Sequence, residues 1–272
     1  MKAIPYLLTC LLLAAAPAYA QELVWAADAE GGAPYTFPDP RDPAKIVGFE
    51  VDLANALAAR MGRHARFVQN QWDGLVPGLE RGEYEVVING LEITPERAER
   101  IHFSKPYFYS TLTITTRLDD TRIQRPEDIR GHIVGTLKVT FAERYLENLG
   151  NVTIRSYDGQ VQPYIDLALG RIDAVVLDTP IALYYATGPQ VKNIEIPAAR
   201  MSFGIGLRKS DDALLEQVNA ALDSLKRDGA LKKIYSDWGI YNAVTAEAFG
   251  DRDPQMASWF LIAAGIHGPF LL

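Results

Sequence analysis

The chain has 272 residues, 48% of them apolar and 22% charged, enough to bury a substantial core as one large domain or two small ones. Its formal charge of −7 and the absence of a basic stripe argue against a nucleic-acid partner, because phosphate binding relies on clustered Lys and Arg. At the N-terminus Lys2 precedes an apolar stretch, 7–16, bracketed by Pro5 and Pro17 and followed by Ala18-Tyr19-Ala20. This is the pattern of an export signal peptide over 1–20, which places the mature chain, from Gln21, in the periplasm. Cys10, the single cysteine, lies inside that segment after Thr9, a context unsuited to lipidation. The mature chain is therefore expected to have no disulfide, thiol nucleophile or thiolate metal site.

Beyond the signal, strands and helices alternate. Residues 23–27 form a short apolar run, and 49–61 carry Val51, Leu53, Ala54, Leu57 and Ala58 at helical spacing. Segments 65–68, 75–79, 85–88 and 111–116 continue a strand-helix series, which implies a mostly parallel sheet. After Arg117-Leu118-Asp119-Asp120 the series restarts, with strands expected at 133–137, 152–156 and 174–177 and helices at 139–149 and 161–169. Residues 202–207 read as a strand, 211–228 as a helix stopped by Gly229, and 230–238 as a last helix. The expected organisation is α/β: a first lobe from 22–117 and 203–240, a second from 118–202, and two connecting strands with a ligand cleft between the lobes. A polar linker, 241–255, and an apolar tail, 256–272, follow.

Five landmarks stand in order along these halves: Val47-Gly48-Phe49-Glu50-Val51-Asp52-Leu53, Trp72-Asp73-Gly74-Leu75, Ile93-Thr94-Pro95-Glu96-Arg97, Phe103-Ser104-Lys105-Pro106-Tyr107 and Gly170-Arg171-Ile172-Asp173-Ala174. With them, residues 22–240 resemble the type II periplasmic solute-binding proteins of the polar amino-acid family, the receptors of ABC importers. The resemblance implies a two-lobed fold, each lobe a mixed, mostly parallel sheet flanked by helices, joined by two hinge strands. It implies an amino-acid-like ligand, a membrane permease as partner, and no cofactor, metal or catalytic residue.

Elementary chemistry supports the positions that the resemblance marks. A zwitterion leaves water only where each charge meets a partner. Arg97 can hold a carboxylate with its planar fork, or it can be a surface arginine paired with a nearby acid. Asp178, at the end of 174–177, can receive an ammonium or cap the helix opening at Thr179-Pro180. Trp72 can wall the pocket or belong to the core. Asn89 and Gly90 offer backbone groups to the ligand or form a plain turn, and Thr140 binds a carboxylate or caps a helix.

Departures from the family pattern are equally informative. Glu92 stands where Ser or Thr is usual, so it contacts a cationic ligand group, pairs with Arg97 or with Lys138 across the cleft, or points to solvent. Glycines replace an aromatic lid in Asp28-Ala29-Glu30-Gly31-Gly32-Ala33-Pro34-Tyr35. Asp28 and Glu30 would then add to Glu92 and Asp178 in an acidic pocket suited to a basic amino acid or other cation. Val139 and Phe141 make the second-lobe loop bulkier than the family's. The tail, seventeen residues from Met256 to Leu272, opens a membrane span, packs on a lobe or lies at the membrane interface. Two other functions share these features: a periplasmic enzyme resembling the cyclohexadienyl dehydratases, with Glu92 or Asp178 as acid, and the sensing domain of a membrane receptor.

Overall fold

The computed structural model of the chain describes residues 21–30 and 32–251. The expected signal peptide, Gly31 and the apolar tail lie outside the described residues. In chain order the first elements are β1 Glu22–Ala27, a hairpin of β2 Phe37–Asp39 and β3 Asp42–Val47, α1 Phe49–Arg60, β4 His64–Gln69 and α2 Leu75–Glu80. Then come β5 Val86–Val87, α3 Pro95–Arg100, β6 His102–Phe103 and β7 Phe108–Arg117. The remainder comprises β8 Ile133–Leu137, α4 Phe141–Leu149, β9 Thr153–Tyr157, α5 Val161–Ala168, β10 Ala174–Asp178, α6 Thr179–Tyr185, β11 Val191–Phe203, β12 Gly206–Leu207, α7 Asp212–Arg227, α8 Ala230–Asp237 and α9 Ala243–Phe249.

Two five-stranded sheets organise the molecule, in the orders β4-β1-β5-β12-β6 and β11-β7-β10-β8-β9. Each combines parallel pairs at one side with antiparallel pairs at the other. The parallel sides are where the sequence alternates strand and helix. The antiparallel pairs arise where the chain leaves the first sheet through β7 and returns through β11. Those two strands run side by side from Phe108↔Phe203 to Arg117↔Val191, with a register shift between Ile196 and Arg200. Pro197 lies in that shift, where the missing N–H costs the ladder least.

The helices follow from their sequence faces. Phe49, Leu53, Ala54, Leu57 and Ala58 are all fully buried on α1, as the i, i+4 spacing requires. Gly48 precedes that helix at φ 140°, and a Cβ there would lie 1.9 Å from the Tyr35 carbonyl oxygen, so no other residue fits. Between the sheets, Phe49, Phe108, Phe203 and Tyr235 form a ring cluster, Phe108 stacking on Phe203 at 6.0 Å and meeting Tyr235 edge-on at 5.0 Å. Each such side chain contributes about 1.5–3 kcal/mol through burial, and together they seat the crossing strands on the first sheet.

Three sequence expectations change. Residues 108–117, assigned to the first half, form a strand whose Leu112–Thr116 section pairs with β10 in the second sheet. The expected strand 202–207 is split, Phe203 ending β11 and Gly206 beginning β12. The linker over 241–255 contains α9, capped by Asn242, whose side chain accepts from Thr245 N at 2.8 Å. Thr245 and Asn242 in turn donate to the Tyr109 carbonyl at 2.8 and 2.9 Å, so the helix is fastened to the start of β7. Among the described residues no helix is long and apolar enough to cross a membrane.

Candidate functional site

A cavity partly open to solvent is lined by residues from both halves of the chain. Of the ten residues expected at the site, Asp28, Glu30, Trp72, Asn89, Gly90, Glu92, Thr140 and Asp178 line it; Arg97 and Lys138 do not. Tyr35, Asp158 and Gln160 line it as well. Five carboxylates therefore face the space, and among the described residues no Lys, Arg or His does.

Glu92 sits on a segment held against the crossing strands: Ile93 N donates to the Ser202 carbonyl at 3.0 Å, and Gly204 N to the Leu91 carbonyl at 3.1 Å. Its carboxylate is 3% exposed and is bound on both oxygens. Oε2 pairs with Arg97 Nη1, and Oε1 accepts from Phe141 N at 2.9 Å, in the first turn of α4. An anion is favoured at that helix end by the free N–H groups and the dipole. Arg97 is further tied down, Nη1 donating to the Glu92 carbonyl at 3.0 Å and Nη2 to the Val139 carbonyl at 2.9 Å, with its guanidinium 5.2 Å from the Trp72 ring centre. Val139 has φ 59°, a conformation that a β-branched residue adopts at a cost, and its N–H donates to Glu143 Oε2 at 2.6 Å. Pairing with Arg97 is thus the outcome for Glu92. Lys138 instead bridges Asp73 at 3.1 Å and Asp158 at 2.6 Å.

Asp178 has a different environment. It occupies the N-cap position of α6, yet its side chain makes no cap hydrogen bond. The carboxyl turns to the cavity and accepts from the Tyr35 hydroxyl at 3.2 Å. Burial, and next the charge of Glu92, raise its pKa well above the usual carboxylate range, against the lowering effects of the Tyr35 bond and Arg97. Among the described residues it has no cationic partner within salt-bridge distance. Burial and Asp178 likewise push the Tyr35 hydroxyl up.

The remaining candidates serve largely as framework. Asp28 Oδ2 accepts from Trp72 N at 3.0 Å and Oδ1 from Glu30 N at 2.9 Å, while Asp28 N donates to Asn89 Oδ1 at 2.6 Å. These bonds set the aromatic wall, and Trp72 Nε1 donates to the Lys138 carbonyl at 3.2 Å. Gly90 N–H points away from the cavity, to Glu50 Oε1 at 2.6 Å, so it is not offered to a ligand. The residue is needed for close approach, a Cβ there meeting the Tyr35 ring at 3.0 Å. Thr140 caps α4, accepting from Glu143 N at 3.2 Å and donating to the Leu137 carbonyl at 2.7 Å. Among the described residues no group of His, Cys, Asp and Glu is arranged to hold a metal ion.

The comparisons with known proteins agree with this architecture. Residues 24–240 match the family model of bacterial extracellular solute-binding proteins, family 3. The chain belongs to that family. The ABC transporter arginine-binding protein 1 of Escherichia coli K12 is 33% identical over 201 residues, covering 71% of this chain and 82% of that protein. The L-cystine-binding protein TcyJ of the same strain is 32% identical over 209 residues, covering 75% and 78%. Among solved structures, an ancestral arginine-binding protein bound to arginine superposes with a TM-score of 0.75 at 33% identity, covering 81% of this chain and 99% of that one.

In this family 3 solute-binding protein, the sequence reading gave no site role to Tyr35, Asp158 or Gln160 at the cavity, or to Glu50 behind it. The aromatic ring thought to be replaced by glycines is supplied by Tyr35, whose ring rests on Gly90 and packs on Phe49 at 4.9 Å. Its signal lies in the same stretch of sequence, Gly32-Ala33-Pro34-Tyr35. Glu50, a landmark residue with no role assigned, lies fully buried beneath the cavity floor, bonded to Tyr107 and Gly90 N. Desolvation pushes its carboxyl up to about 7 despite those hydrogen bonds.

Proposed function

We propose that this solute-binding protein captures a small nitrogen-containing cation, a basic amino acid or a related compound, in the periplasm, and presents it to the permease of an ABC importer. The observation that carries the ligand class is Asp178, a buried acid with no ionic partner among the described residues, in a cavity wall that also holds Asp28, Glu30 and the rings of Tyr35 and Trp72 and no cationic side chain among the described lining residues. Buried carboxylates call for a positive partner, and aromatic faces also attract one. Two of the relatives, an arginine-binding and a histidine-binding protein, are named for basic amino acids, while TcyJ is named for cystine.

The lobes proposed for closure are 22–117 with 203–240, and 118–202, except that the Leu112–Thr116 section of β7 moves with the second lobe, and the hinge is where Phe108–Thr111 runs beside Arg200–Phe203. Contacts between them run through Trp72, Arg97 and Lys138, so the ligand favours the closed form by adding to this set. Asp178 receives the cationic nitrogen, Tyr35 orients Asp178, and Trp72 covers the ligand.

The test is a melting-temperature and Trp-fluorescence screen of the purified mature protein against arginine, lysine, ornithine, histidine and simple amines, with leucine, glutamine and glutamate as contrast. Stabilisation by cationic solutes, each recovered unchanged, is expected. A response confined to neutral or acidic amino acids, or turnover of prephenate or arogenate, overturns the reading.

A further inference from the structure

We infer that the natural ligand is an organic cation without a carboxylate, such as an amine or guanidine, because Glu92 serves as a built-in carboxylate that fills the anion-binding end of the cavity. This rests on the proposed function and narrows it.

Among the described residues, the Arg97 guanidinium and the Phe141 N–H near the cavity are able to receive an anion, and Glu92 occupies both. The Arg97 guanidinium directs Nη1 to Glu92 and Nη2 to the Val139 carbonyl. The first-turn N–H of α4, on Phe141, donates to Glu92 Oε1 at 2.9 Å. One carboxylate thus spans a guanidinium from one side and a helix N-terminus from the other, with its two oxygens divided between them. That is how a free carboxylate would be held, but here it is covalently part of the chain. Glu92 is 3% exposed, and its backbone is fixed by the hydrogen bonds of Leu91 and Ile93 to the segment around Phe203.

At the other end Asp178 has a neutral hydrogen-bond donor in Tyr35 and, among the described residues, no cation. The cavity therefore offers, among the described residues, an acid without an ionic partner at one end, ready to ionise against an incoming cation, and an already neutralised pair at the other. An amino acid entering it would satisfy Asp178 with its positive end and then set its own carboxylate against acids, with no free cationic side chain among the described residues to meet it. Removal of the carboxylate eliminates that conflict and leaves the favourable contact intact. Displacing Glu92 is the alternative route for an amino acid, and it breaks bonds to Arg97 and Phe141 that the ligand then has to replace.

The experiment is calorimetric titration of the mature protein with matched pairs that differ by one carboxylate: arginine and agmatine, ornithine and putrescine, lysine and cadaverine, histidine and histamine. At least one amine is expected to bind about tenfold or more tightly than its parent amino acid, a single close charge contact sufficing for that ratio. In Glu92→Gln, which frees Arg97 while preserving shape, the preference is expected to shift toward the amino acid of that pair. If each parent amino acid binds the unaltered protein as tightly as its amine, or more so, the inference fails while the proposed function stands. If no member of any pair binds, both fail. The unaltered protein decides the question even where the variant does not fold.

Discussion

Glu92 and Asp178 are both acids at the cavity wall, and they have opposite fates. Glu92 finds a guanidinium and a helix N-terminus within the protein, whereas Asp178 finds a tyrosine hydroxyl and an open space. The difference teaches that a buried carboxylate is defined by what neutralises it, not by its residue type. A group matched internally belongs to the framework, and a group left unmatched is available to a ligand.

The sharpest way to break this comparison is to remove the partner of the matched acid. Arg97→Ala leaves Glu92 buried and uncompensated, and is expected to destabilise the ligand-free protein by about 3–5 kcal/mol, measured by denaturant unfolding. Asp178→Asn has the reverse signature. Its amide can still accept from Tyr35, so ligand-free stability is unchanged or higher, while affinity for the cation falls by about a hundredfold, or about 3 kcal/mol. Equal effects of the two substitutions on ligand-free stability would contradict the distinction drawn here.

A third acid extends the contrast. Glu50 is buried without a cation, and burial moves its carboxyl from 4.5 to about 7. Between those values the folded protein retains a proton that the unfolded chain has released, so stability falls as pH rises through the window. The loss approaches about 3 kcal/mol at about 1.4 kcal/mol per unit. Glu50→Gln is expected to flatten that part of the stability-pH curve, and an unchanged slope would show that Glu50 is not its source. The smallest effect is at Trp72, whose truncation removes an aromatic wall and the stack on Arg97. Trp72→Ala should weaken cation binding by about tenfold, roughly 1–2 kcal/mol, with little change in melting temperature.

Much of this was legible in the residues. Alternating apolar runs located β1, α1, β8, α4 and β10 to within a few positions, because each buries one face or both. The hairpin of β2 and β3 was not legible, since β3 is largely exposed and carries no apolar alternation. β11 was recognised in its last two residues alone. Its inward and outward positions mix polar and apolar types, and Pro197 interrupts its pattern. α9 was missed because its identity lies in the Asn242 cap and its contacts with Tyr109, not in a long periodic face. At the site, Arg97 and Glu92 are close enough in sequence for their pairing to be foreseen. The third member, Phe141 N, comes from 49 residues away, and neither its approach nor the turning of Asp178 toward Tyr35 has a local signal.

The most direct test of the central claim is a crystal structure of the protein with the tightest-binding cation from the matched pairs. The cationic nitrogen is expected against Asp178, between Tyr35 and Trp72, with Glu92 still bridging Arg97 and Phe141 N. A ligand carboxylate seated on Arg97, with Glu92 turned out of the cavity, would contradict it.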